Sequence, residues 1–301
     1  MNAAGSGGVR RRPWARSPRT AAPTYRTGSV TSADGTSIAY REFGHGPGVV
    51  LIHGGMQAAQ NFTRLAGALE DEFTVYVPDR RGRGRSGTYG ADYGLATESA
   101  DIEALLRRTG ARCVFGLSSG AVIALHAALT IPGIEKLAVY EPPLATATTT
   151  PTSFVARYER ELDRGKLAAA MVTALKGTAD VSILTRIPRF IMEALVGVAV
   201  RLEARAHRGA DDVAFGALIP TLRYDARLAR EAKLESFAAI RADVLLLGGD
   251  RSAAYLPVAL DALAGALPRA KRVEFKGIGH LAADNEGRPA EVAATLRTFF
   301  R

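Results

Sequence analysis

Short, unbroken apolar runs recur along this chain of 301 residues, and helical periods separate most of them. That alternation limits the possible folds more than any other feature. The runs are Gly48-Val49-Val50-Leu51-Ile52, Phe73 to Pro78, Cys113 to Leu117, Leu137 to Tyr140, Val244 to Gly249 and Arg272 to Phe275. Apolar side chains at successive positions suit strands buried on both faces. Strands alternating with helices predict a mostly parallel, doubly wound sheet. Ahead of them, Ser29 to Tyr40 alternates around Asp34-Gly35, a strong turn signal, and predicts an antiparallel hairpin.

The alternation lapses between about Leu144 and Ile240, where periods such as Phe154, Tyr158, Leu162 and Leu167, Met171, Leu175 predict helices only. The expected organisation has a core of residues 28–143 and 241–301, interrupted by a helical insertion at 144–240. Thr146 to Thr150 with Pro151 reads as the entry linker. An insertion after one strand is expected to form a lid over the sheet's C-terminal edge, where such sheets bind ligands.

The formal charge of +9 suggests a nucleic-acid partner until it is located. Arg10, Arg11, Arg12, Arg16, Arg19 and Arg26 fall in a stretch without Asp or Glu, so six of the nine charges sit there. The rest is close to neutral. Residues 1–27 therefore read as a flexible basic tail, and no nucleic-acid partner is expected. No apolar segment follows Arg11-Arg12, so an export signal is not expected there. The run from Phe190 to Val200 is too short to span a bilayer, and no membrane partner is expected. Cys113, the lone cysteine, cannot form an internal disulfide and reads as a small buried hydrophobe. The resulting expectation is a cytoplasmic protein.

The third interior run ends in Gly116-Leu117-Ser118-Ser119-Gly120, and Ala121-Val122-Ile123 opens a helix behind it. A Gly-x-Ser-x-Gly at a strand-to-helix junction forces its serine into a tight turn, with glycines where backbone passes backbone. Ser118 is thus a candidate nucleophile. A serine hydroxyl needs a base, and the base needs a group that fixes its tautomer. His280, in Gly277-Ile278-Gly279-His280, and Asp250, closing Leu247-Gly248-Gly249-Asp250, each follow a strand. Their chain order, Ser118 then Asp250 then His280, suits a nucleophile, an acid and a base. Glu141 also ends a strand and is the alternative acid. The Ser119 amide, at a helix N-terminus, points at any oxyanion formed there.

These residues resemble the α/β-hydrolase superfamily over about residues 28 to 301. Leu51-Ile52-His53-Gly54-Gly55 is similar to its oxyanion loop, and Asp79-Arg80-Arg81-Gly82-Arg83-Gly84-Arg85-Ser86 to its D-x-R-G-x-G-x-S stretch. The resemblance implies an eight-stranded, doubly wound sheet and a second oxyanion donor at the Gly55 amide, with Gly54 and Met56 as alternatives. It also implies a structural role for His53 and for the arginine-rich loop. His126 reads as a helix-face residue, while His45 and His207 have no assigned partner. No metal or nucleotide motif competes, so no metal and no cofactor are expected.

The expected activity is hydrolysis of a small, hydrophobic carboxylic ester, lactone or thioester through an acyl-serine. Three rivals stand beside it. They are other chemistry on the same triad (carbon–carbon hydrolysis, perhydrolysis or cyclising acyl transfer), action on an acyl carrier protein, and a non-catalytic ligand sensor.

Overall fold

Eight strands form one sheet in the order β1-β2-β4-β3-β5-β6-β7-β8. The computed structural model describes residues 24–146, 152–178, 187–205 and 209–301. Most of the basic tail, the entry linker beyond Thr146 and His207 lie outside the described residues. The hairpin is β1 (Arg26–Thr31) and β2 (Ser37–Gly44), so the first strand begins two residues before the expected boundary. It joins β4 (Thr74–Pro78) antiparallel. From there β3 (Gly48–Ile52), β5 (Cys113–Leu117), β6 (Lys136–Tyr140), β7 (Asp243–Gly249) and β8 (Lys271–Phe275) are all parallel.

Side chains alternate across these strands, so each apolar run feeds two cores. Val50, Ile52, Val114, Val139 and Leu246 face one core with α2 (Leu95–Thr109), α3 (Ser119–Thr130) and α9 (Tyr255–Ala266). Val49, Leu51, Phe115, Leu117 and Leu247 face the other, against α1 (Thr63–Gly67) and α10 (Pro289–Phe300). Both faces are covered, as the continuous runs required. The helix α2 is not legible in the sequence pattern. Four of its positions are Glu98, Ser99, Asp101 and Glu103, and three of those polar side chains are buried, which breaks the apolar period a helix is recognised by.

Between β6 and β7 the described residues form α4 (Val155–Asp163), α5 (Leu167–Thr178), α6 (Arg189–Arg205), the one-turn α7 (Phe215–Leu218) and α8 (Leu222–Glu231). Tyr158, Ala170, Met171, Ala174 and Ile219 make a small core of their own. Met56, in the loop after β3, packs against it. The helical segment thereby sits on loops at the C-terminal ends of the strands. Among the described residues, no helix is long and apolar enough to cross a membrane.

Candidate active site

Ser118 joins β5 directly to α3 with φ 55° and ψ −121°, a conformation rare for any residue with a side chain. Packing around it enforces the turn. A Cβ on Gly116 would lie 2.4 Å from the Gly120 carbonyl oxygen, and one on Gly120 would lie 2.3 Å from that of Ile52. Only glycine fits either position, so the two glycines let helix, strand and neighbouring loop close on the serine. Among the described non-glycine residues, positive φ occurs at Met56, Ser118 and Glu141. Ser118 and Glu141 directly follow the central strands β5 and β6, and Met56 lies in the loop after β3. Each costs about 1–3 kcal/mol, and such strain clusters at functional sites.

His280 meets a different acid from the one expected. Its Nδ1 lies 2.8 Å from Glu141 Oε2, and Glu141 Oε1 accepts the Gly249 amide at 2.7 Å. Glu141 is almost wholly buried, with φ 46° turning it off the end of β6 toward β7. Asp250, the expected acid, instead accepts the Gly277 amide at 2.7 Å, and Lys276 Nζ approaches it at 4.0 Å from the solvent side. The physical reason lies in Gly248 and Gly249. A Cβ on Gly248 would stand 3.2 Å from Glu141 Oε1, and the Gly249 amide donates to that same oxygen, so the end of β7 both leaves room for the longer glutamate and holds it where it meets the imidazole. That glycine pair beside a strand-ending glutamate was the available signal. The Tyr140 hydroxyl donates to the Gly279 carbonyl at 3.0 Å and steadies the loop carrying His280.

The loop after β3 lies against the serine, because a Cβ on Gly54 would be 3.2 Å from Ser118 Cβ. The Gly54 amide donates to Gln57 Oε1 at 2.7 Å, which removes it from the three amides considered for the oxyanion. Gly55 and Met56 remain. Gln57 is itself held by Asp284, which also takes Asn61. On the other side, the amide of Ser119 opens α3, where the first turn of a helix leaves its N–H groups without helical partners.

His53 is buried and neutral. Burial pushes its pKa well below the ordinary value, and Arg83 and Arg80 push it further. Its Nε2 accepts the Arg80 amide at 3.3 Å, which leaves Nδ1 to donate to the Gly54 carbonyl at 3.1 Å. His126 shares a hydrogen bond with Ser99 Oγ at 2.7 Å. Neither histidine faces the serine as a base. Burial raises the thiol pKa of Cys113, which keeps it protonated and inert.

The arginine-rich loop is internal wiring. Arg80, Arg81 and Arg83 are all buried. Arg80 pairs with Glu98 at 2.9 Å and with Asp225 at 2.8 Å, and Arg83 takes the other oxygen of Asp225 at 2.8 Å. Asp225 comes from α8, far along the chain. Burial alone would raise the pKa of its carboxyl, but the Arg83 and Arg80 guanidiniums beside it bring it down to about 2. Two cations thus face two anions, and the cluster is neutral overall. Asp225 is not recognisable from the sequence, because an isolated aspartate on an amphipathic helix looks like any solvent-facing residue.

A strained serine after a parallel strand, with a histidine–carboxylate pair from two later strand ends, matches one family over most of the chain. The model of the alpha/beta hydrolase family fits residues 49–295. The chain belongs to that family. An uncharacterized hydrolase of Bacillus subtilis, YraK, is 36% identical over 115 residues, covering 36% of this chain and 42% of that protein. The N-formylmaleamate deformylase of Pseudomonas putida is 33% identical over 127 residues, covering 40% and 47%. The chain thus spans less than half the length of these curated relatives. Among solved structures, an alpha/beta hydrolase from Sphaerobacter thermophilus is 29% identical with a TM-score of 0.71, covering 91% of this chain and all of that one. The eight-stranded sheet with flanking helices is the architecture of this hydrolase family.

Proposed function

We propose that this hydrolase is a serine hydrolase acting on a small carboxylic ester, lactone or thioester, with Ser118, His280 and Glu141 as its triad. The observation that carries the reading is a strained Ser118 at the C-terminal end of β5, on the same sheet edge as an imidazole whose Nδ1 is fixed by a buried carboxylate. With Nδ1–H held by Glu141, Nε2 is the basic nitrogen, as a general base requires.

Ser118 Oγ attacks the acyl carbon while His280 Nε2 takes its proton, and a tetrahedral oxyanion forms against the Ser119 and Gly55 amides. Collapse breaks the bond to the leaving group, which receives the proton from His280. Water, deprotonated by His280, then attacks the acyl-serine, releasing the carboxylic acid and restoring Ser118. Glu141 holds the imidazole and stabilises the transient imidazolium. The apolar cluster of the insertion, with Met56 packed against it, supports a hydrophobic wall above the oxyanion loop and a lid role for the helices.

Intact-mass labelling with a fluorophosphonate tests the reading. One adduct is expected on the wild type, none on Ser118→Ala, and much slower labelling on His280→Ala. A folded wild type that takes no adduct overturns it. Turnover is then sought with activated esters, lactones and acyl thioesters. N-formyl amides join the panel because one relative is a deformylase.

A further inference from the structure

One carboxylate from the helical insertion is hydrogen-bonded to one of the two residues whose amides are assigned to the oxyanion and lies beside the other. Asp225 Oδ1 accepts the Ser119 hydroxyl at 2.9 Å, and a Cβ on Gly55 would lie 3.1 Å from Asp225 Oδ2. Arg80 completes the clamp. Its Nη1 donates to Asp225 Oδ1 at 2.8 Å, to Ser119 Oγ at 3.1 Å and to the His53 carbonyl at 3.4 Å. One guanidinium nitrogen therefore ties the loop after β3 to the first residue of α3 and to α8. Arg83 fixes the remaining carboxylate oxygen, so Asp225 has no freedom to turn.

We infer that Asp225 is a positioning residue for the oxyanion hole, and that docking of α8 onto the sheet sets the spacing of the Gly55 and Ser119 amides. The inference rests on the serine-hydrolase reading above. Its physical basis is that hydrogen-bond donors aimed at a developing charge stabilise it only when fixed in advance. Displacements near 1 Å at such a site cost about 100-fold. The assignment also explains the choice of residues. Arg80 and Arg83 occupy the two variable positions that flank Arg81-Gly82 in the loop motif, Ser119 is the variable residue after the nucleophile, and Gly55 has no side chain to push against Asp225.

Ser119→Ala, Asp225→Asn and the double variant are compared with the wild type for hydrolysis of a p-nitrophenyl ester and for affinity to an arylboronic acid, which forms a tetrahedral anion on the serine. Each single change is expected to lower kcat by about 10- to 100-fold with KM nearly constant. Boronate affinity should fall in parallel. The double variant should lose no more than Asp225→Asn alone, because both changes break the same link. Wild-type kcat in Ser119→Ala, or losses that multiply in the double variant, would overturn the inference. Ser119→Ala decides alone if Asp225→Asn does not fold, since it leaves both arginines on Asp225. A wild type that neither labels with fluorophosphonate nor turns over the ester would bring down the serine reading itself; an active wild type with unimpaired variants would bring down only the role of Asp225.

Discussion

Glu141 Oε2 lies 2.8 Å from His280 Nδ1, while Asp250, at the end of the adjacent strand, spends its carboxylate on the Gly277 amide. The two acids should differ sharply in their response to substitution. Glu141→Gln keeps the shape but no longer imposes the Nδ1–H tautomer, and it is expected to lower kcat by about 10³- to 10⁴-fold. Asp250→Asn should stay within about threefold of the wild type. Steady-state rates on one activated ester decide between them, and equal losses in both variants would return Asp250 to the site.

The elbow depends on backbone passing backbone where no flexible side chain can yield. A methyl group on Gly120 would meet the carbonyl oxygens of Ile52 and His53 at 2.3 and 2.5 Å, so β3 and α3 would have to part. Gly120→Ala is expected to destabilise the fold by about 1–3 kcal/mol, the range for overpacking a tight core. The urea midpoint measures it. A midpoint unchanged from the wild type would mean that the junction is looser than the geometry described.

Much of this was legible because the signals are local. Apolar runs such as Gly48 to Ile52 announce interior strands without reference to anything distant, and Gly116 to Gly120 carries its own turn chemistry. Ser118 and His280 follow from strand ends in chain order. The carboxylate that meets His280 did not, because the deciding fact is a relation between neighbouring strands: Gly248 leaves room beside Glu141, and the Gly249 amide holds its carboxylate. Asp225 was less visible still. Its partners Arg80, Arg83 and Ser119 lie 145, 142 and 106 residues away in sequence, and no spacing rule reaches that far.

Arg81 offers a test of the loop's bracing role apart from chemistry. Its guanidinium grips Asp101 through two bonds of 2.6 and 2.7 Å and Asp34 through two of 2.7 and 2.9 Å, tying the β1–β2 turn to α2. A lysine cannot make two parallel forks. Arg81→Lys is expected to cost about 2 kcal/mol, chiefly through the buried Asp101, which is left with a poorer partner. Thermal unfolding measures the loss, and kcat of the still-folded fraction should be unchanged.

Asp225 also predicts how the protein meets acid. Its folded-state pKa is depressed from the ordinary 3.8 to about 2 by the two arginines, against the opposing effect of burial. A depressed carboxylate stabilises the fold above the unfolded-state value, and that contribution disappears as pH falls toward the folded-state value. The window therefore runs from about pH 5 down to about pH 2, and the stability at stake is roughly 2 kcal/mol. Asp225→Asn cannot titrate, so the wild-type advantage over it should be constant from pH 7 to about pH 5 and should shrink steadily below that. Urea unfolding of both proteins across this range measures the difference. An advantage that stays constant down to pH 2 would mean that Asp225 is not held as an anion by Arg80 and Arg83, and the clamp on Ser119 would lose its electrostatic footing.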